Sequence, residues 1–148
     1  MKIDKRDLGI TLLRVVVGSV FLVHGSQKLF IDGINGVAGT FTQIGIPFPL
    51  LSAYLATFAE FFGGLAILLG LFTRLAAIPV AFTMLVAIAT VHGKNGFFLP
   101  NGYEYALTLL VANIALATAG GGAFAIDNLF RAPRLLKVET TEPVRLAS

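Results

Sequence analysis

Apolar residues fall into four long blocks: Leu8 to Phe30, Leu50 to Phe72, Leu75 to Val91 and Tyr103 to Ala119. Polar residues collect between the blocks and at the two ends. Crossing a hydrocarbon core of ~30 Å takes about 20 helical residues, with roughly 17 as the lower limit. The first two blocks meet that length, and the last two reach it by borrowing flanking residues. In lipid each backbone amide must be satisfied within its own segment, so only helices suit such blocks. The pattern predicts an all-α fold, a four-helix transmembrane bundle over residues 1–130.

The connections carry their own signals. Thr73 and Arg74 leave room only for a tight antiparallel hairpin between the second and third helices. Pro79 is expected in the first turn of the third helix, where a missing amide costs little. Asp32 to Pro49 reads as a glycine-rich loop closed by Pro47 and Pro49. Its apolar residues Ile34, Val37, Phe41, Ile44, Ile46 and Phe48 suit the membrane surface or a fold over the helix ends. Gly93 to Gly102 reads similarly, with Phe97 and Phe98 as interfacial residues and part of a lid. Residues 131–148 are polar and are expected to form a disordered cytoplasmic tail.

Composition supports lipid as the surrounding medium. The chain of 148 residues is 56% hydrophobic and 13% charged, with a mean hydropathy of +0.85. A soluble domain carries about a quarter charged residues because its surface must face water. The absence of cysteine removes disulfides, thiolate catalysis, iron–sulfur ligation and covalent haem attachment. The net charge of +3 does not point to nucleic acid, because the basic residues sit where membrane topology is written. The first block is expected to stay as an anchor rather than a cleaved signal, since Arg14 interrupts it and no small-residue cleavage site follows.

An even number of spans puts both termini on one side, with Lys2, Lys5, Arg6, Arg74, Arg131, Arg134, Lys137 and Arg145. Of the other basic residues, Arg14 and Lys28 lie within the first block, leaving Lys94 alone on the far side. The positive-inside rule then places both ends in the cytoplasm. The expected location is the inner, or plasma, membrane of the cell.

Ionisable residues inside a bilayer are costly and are functional candidates by default. Counting from the cytoplasmic ends puts Arg14 at ~9 Å, Glu60 at ~18 Å, His24 at ~24 Å and Lys28 at ~30 Å. His92 ends the third helix on the outer side and Glu104 begins the fourth there. Residues from four helices thus converge on the outer half, around one expected cavity. His24 and Glu60 are expected at its centre, Lys28 and Glu104 at its rim, and His92 between. Glu60 must be protonated or paired, with Arg14 or His24 as its expected partner. Lys28 also reads as an interfacial anchor, and Arg14 as a snorkelling residue. Small residues around Glu60 (Ala53, Ala56, Gly63, Gly64), with Gly18 and Gly25, suit close helix packing. Asn113 is expected to hydrogen-bond across the bundle.

Together these residues resemble the DoxX family of small membrane proteins. The matching pieces are Arg14; His24, Gly25 and Lys28; Glu60 with Gly63, Gly64 and the run Leu68 to Arg74; His92; Glu104; and Gly120, Gly122 and Asp127. Gly121 departs from the family, which often has proline there. The resemblance implies a four-helix bundle linked with quinone redox chemistry, working with a soluble or membrane redox partner. On that reading His24, Glu60 and His92 handle protons, while Arg14, Lys28 and Glu104 bind substrate. No metal centre and no intrinsic cofactor is expected; a quinone is the candidate ligand. A haem between His24 and His92 is the less favoured alternative. The competing functions are a non-catalytic scaffold that recruits soluble partners and a small transporter, the latter without a visible inverted repeat.

Overall fold

A computed structural model describes residues 4–130; the tail expected at 131–148 lies outside the described residues. The long helices are α1 (Lys5–Ser26), α3 (Pro49–Leu69), α4 (Thr73–Ala87) and α5 (Glu104–Ala119). A helix α2 (Gly33–Gln43) and a single turn α6 (Asp127–Phe130) complete the set. Contacts run α1 to α3, α3 to α4, α4 to α5 and α5 back to α1, which closes a four-helix bundle. The fold is all-α, with no strand among the described residues.

Three stretches are long and apolar enough to cross a membrane: Lys5–Gln43, Pro49–Leu69 and Thr73–Asn95. Helix α5 is apolar but has 16 residues, about 24 Å at 1.5 Å per residue. The molecule is built inside out. Its core is small, made of Val17, Phe21, Ile67, Ala77, Val80, Leu109 and Leu116. Large apolar residues such as Val16, Leu55, Leu75, Phe82 and Val111 are exposed. Water would penalise that surface and lipid does not.

Helices α1 and α3 approach through glycine. A Cβ on Gly18 would strike the backbone of Leu68, and one on Gly25 the backbone of Phe61. A Cβ on Gly64 would strike Phe21 and Leu22 on the facing helix. Without a hydrophobic drive between helices in lipid, such close backbone contact supplies the dispersion energy that holds them.

Three expectations are corrected. Most of the segment 32–49 is not a loop: α1 runs on through a π-helical stretch, Gln27–Asp32, into α2, and only residues 44–48 are non-helical. Ile34, Val37, Phe41 and Ile44 recur at spacings of three and four, so they share one helical face. That face packs on α3, with Val37 buried. The hairpin between α3 and α4 turns at Gly70 to Phe72, not at Thr73 and Arg74, which begin α4. Gly70 ends α3 in the left-handed region with φ 74°, where a side chain would be strained. Pro79 lies inside α4 rather than in its first turn, so the Leu75 carbonyl has no amide to accept from.

The segment after α5 laps over this hairpin. The Ile126 and Asp127 amides donate to the Leu69 and Gly70 carbonyls, at 3.2 and 3.1 Å. The Asp127 carboxylate accepts from the Phe72 amide at 3.0 Å.

Candidate functional site

Gly25 on Phe61 fixes how α1 and α3 align, and that alignment decides the partner of Glu60. Helical side chains lean toward their own N-terminus. The two helices are antiparallel, so Lys28, three residues beyond Gly25, leans back along α1. Glu60 leans the opposite way along α3. The two meet, with the Lys28 ammonium donating to Glu60 Oε1 at 2.6 Å. Glu60 is 3% exposed and Lys28 26%. The expected pairing of Glu60 with Arg14 or His24 is therefore corrected. Counting depth from the block ends missed it, because the two helices do not start at the same level. An edge-on contact of Phe30 with Phe61, centroids 5.8 Å apart, pins the π-helical stretch that carries Lys28.

His24, Lys28, Glu60 and His92 all line one cavity of about 910 Å³. The rest of its wall is largely apolar, with Phe21, Leu55, Phe58, Phe82 and Leu109 prominent. His24 is exposed and has no side-chain hydrogen bond among the described residues. His92 ends a second π-helical stretch, Ile88–His92, that prolongs α4. Its Nδ1 lies 3.0 Å from the Asn101 carbonyl. A carbonyl only accepts, so Nδ1 carries the proton and the neutral ring keeps Nε2 as an acceptor. Both π-helical stretches border the cavity, a placement typical of functional sites.

Two candidate residues lie elsewhere. Arg14 neither snorkels nor reaches Glu60: it is 4% exposed, and its Nη2 donates to the Phe124 carbonyl at 3.3 Å. It packs against Gly70, where any side chain would collide with its guanidinium. Arg14 thus ties α1 to the segment that covers the α3–α4 hairpin. Glu104 is not at the cavity rim either. Its Oε1 accepts from the Leu99 amide at 2.8 Å, which folds the 96–103 connection onto the start of α5. Phe97 meets Phe98 and Tyr103 edge to face, and neither phenylalanine lines the cavity.

The lid comes from a part of the chain read as a loop. Phe41 of α2 and the following Ile46 and Pro47 line the cavity. The four apolar residues at helical spacing from Ile34 to Ile44 carried that signal. Thr83 and Thr90 of α4 and Tyr105 of α5 also reach the wall. The two threonine hydroxyls are spent on the carbonyls of Val80 and Val86, at 2.8 Å each. That leaves the Lys28–Glu60 pair and the two imidazoles as the main proton-exchanging groups on the wall.

The chain is 36% identical to "Putative oxidoreductase CatD" of Bacillus subtilis, over 82% of this chain and 86% of that protein. It is 35% identical to inner membrane protein YqjF of Escherichia coli, over 83% of this chain and 92% of that one. An uncharacterized membrane protein of Mycobacterium tuberculosis is 33% identical over 78% and 77% of the two chains. No solved structure matches. Residues 9–93 match the DoxX family model, a stretch that contains Arg14, His24, Lys28, Glu60 and His92, and the protein belongs to the DoxX family.

Proposed function

We propose that the protein is a multi-pass inner-membrane subunit that binds a quinone headgroup and moves its protons for a redox partner. The observation that carries this reading is the placement of His24, Lys28, Glu60 and His92 on one otherwise apolar cavity. A quinone headgroup asks for that combination: a flat apolar ring with a polar oxygen at each end. Reduction to the hydroquinone takes two electrons and two protons. The redox partner supplies the electrons. The Lys28 ammonium is placed to donate to a quinone oxygen. The Glu60 carboxylate holds the ammonium in place, and the two imidazoles carry protons inward from the outer side to replace those given to the ring. The name of the B. subtilis relative, an oxidoreductase, supports the same class of chemistry.

The test is the composition of the purified protein. In mild detergent, extracted lipid should contain quinone above the level of a control membrane protein, and Glu60→Gln should lower it severalfold. A Soret band in the visible spectrum would point instead to haem between His24 and His92. Neither signal would leave a non-catalytic scaffold as the better reading.

A further inference from the structure

The cavity does more than hold a ring. Its volume of about 910 Å³ stands near the top of the roughly 300–1,000 Å³ range of pockets that enclose drug-sized ligands. A single six-membered ring leaves much of it empty. The polar groups also sit to one side. Lys28 and His24 come from α1 and its extension, Glu60 of α3 is drawn to Lys28, and His92 ends the stretch that prolongs α4, whereas Leu55 and Phe58 of α3 and Phe82 of α4 carry no polar group.

Those three apolar residues line the cavity and are also exposed on the outside of the molecule, at 63%, 40% and 63%. His24 and Tyr105 do both as well, but the wholly apolar set comes from the neighbouring helices α3 and α4 and marks a mouth between them. The base of this mouth is fixed by packing, because Gly63 of α3 lies against Val80 and Ala76 of α4. At the same level Pro79, which lacks an amide, lines the cavity. From there outward both helices line the void. An opening walled by leucine and phenylalanine, on an apolar surface of this breadth, faces lipid rather than water.

We infer that the ligand is a membrane-dissolved amphiphile whose apolar tail leaves the site sideways, between α3 and α4, past Leu55, Phe58 and Phe82. The inference rests on the headgroup reading above and adds the tail and the route. It excludes a water-soluble ring arriving from the outer loops as the natural ligand. Residues at the mouth then select for tail, while Lys28 and Glu60 select for headgroup.

Two probes separate the claims in the full chain embedded in lipid nanodiscs. One is a benzoquinone with a photoreactive diazirine on its alkyl tail, and the other is the same ring without a tail. After illumination, adducts should concentrate at residues 55–58 and 82–86, and an excess of unlabelled tailed quinone should reduce them severalfold. Replacing Leu55→Trp together with Phe82→Trp, both at the mouth, should cut these adducts severalfold, and by a larger factor than it weakens calorimetric binding of the tail-less ring. Adducts spread over Val16, Val111 and other lipid-facing positions, indifferent to competitor or to the double replacement, would overturn the lateral mouth. If the tail-less ring still bound in that case, the headgroup site would survive; if neither ring bound, both conclusions would fall.

Discussion

Lys28 and Glu60 share one ion pair but not one environment, and that asymmetry is measurable. The carboxylate is almost wholly enclosed, whereas a quarter of the lysine side chain is exposed. Lys28→Met strands Glu60 in an apolar wall, a loss on the order of 3–5 kcal/mol for a buried charge deprived of its partner. Glu60→Gln keeps the shape and an acceptor for the ammonium, and the long lysine stem can carry its charge toward the interface. That change should cost about 1–2 kcal/mol. Thermal melts in mild detergent should therefore rank Lys28→Met below Glu60→Gln, and Glu60→Gln below the parent. The reverse order would mean that Lys28, not Glu60, is the group trapped by burial. At this scale the sequence was informative about which residues matter and less so about whom they touch. His24, Lys28, Glu60 and His92 stood out because charge inside an apolar block is expensive. Arg14 stood out for the same reason, but its partner, the Phe124 carbonyl, is a backbone atom 110 residues away that no side-chain pattern announces.

Helix α1 reaches α3 only because three glycines clear the way. An added methyl at Gly64 meets the backbone of the facing helix, which has no rotamer to give. Gly64→Ala should force the pair apart and cost about 1–3 kcal/mol, the usual range for overpacking. The same substitution at Gly9, with nothing within 4 Å of the added carbon, is the matched control. It should leave stability unchanged or raise it slightly, since alanine is the better helix former. Unfolding of both variants in a denaturing detergent series checks this, and equal midpoints would rule out the tight seam. Long elements were plain in the sequence because twenty apolar residues in a row have few other uses. The lid helix α2 was not, since Gly33, Gly36, Gly39 and Gly45 are the composition of a loop. Its apolar period was present all along. Packing against α3 stabilises a helix that propensity alone would not.

At the scale of the whole molecule, the bundle has two unlike ends, and the charge along the chain predicts which faces the cytoplasm. Arg74 opens α4 beside the hairpin, at the same end as Arg14 and the lapping segment through Asp127. The start of α1, with Lys5 and Arg6, lies there too: Gly122, in that segment, sits against Asp7 and Ile10. The other end holds α2, His92 and the 96–103 connection, where Lys94 is the one basic residue besides the paired Lys28 among the described residues. The positive-inside rule predicts that such a basic cluster stays on the cytoplasmic side, with the cavity and its lid facing outward. A reporter fused after Ser148 should therefore read as cytoplasmic, while one inserted at Gly39 in α2 should read as external. Two reporters on one side would break the arrangement at a specific place. Helix α5 has 16 residues and, unlike α4, no π-helical stretch to prolong it, and it alone separates the cavity end from the carboxyl-terminal segment. An external reading after Ser148 together with an external reading at Gly39 would mean that α5 does not cross. In that case Tyr105 and Leu109 would be brought to the cavity by a helix resting against the bundle from one face.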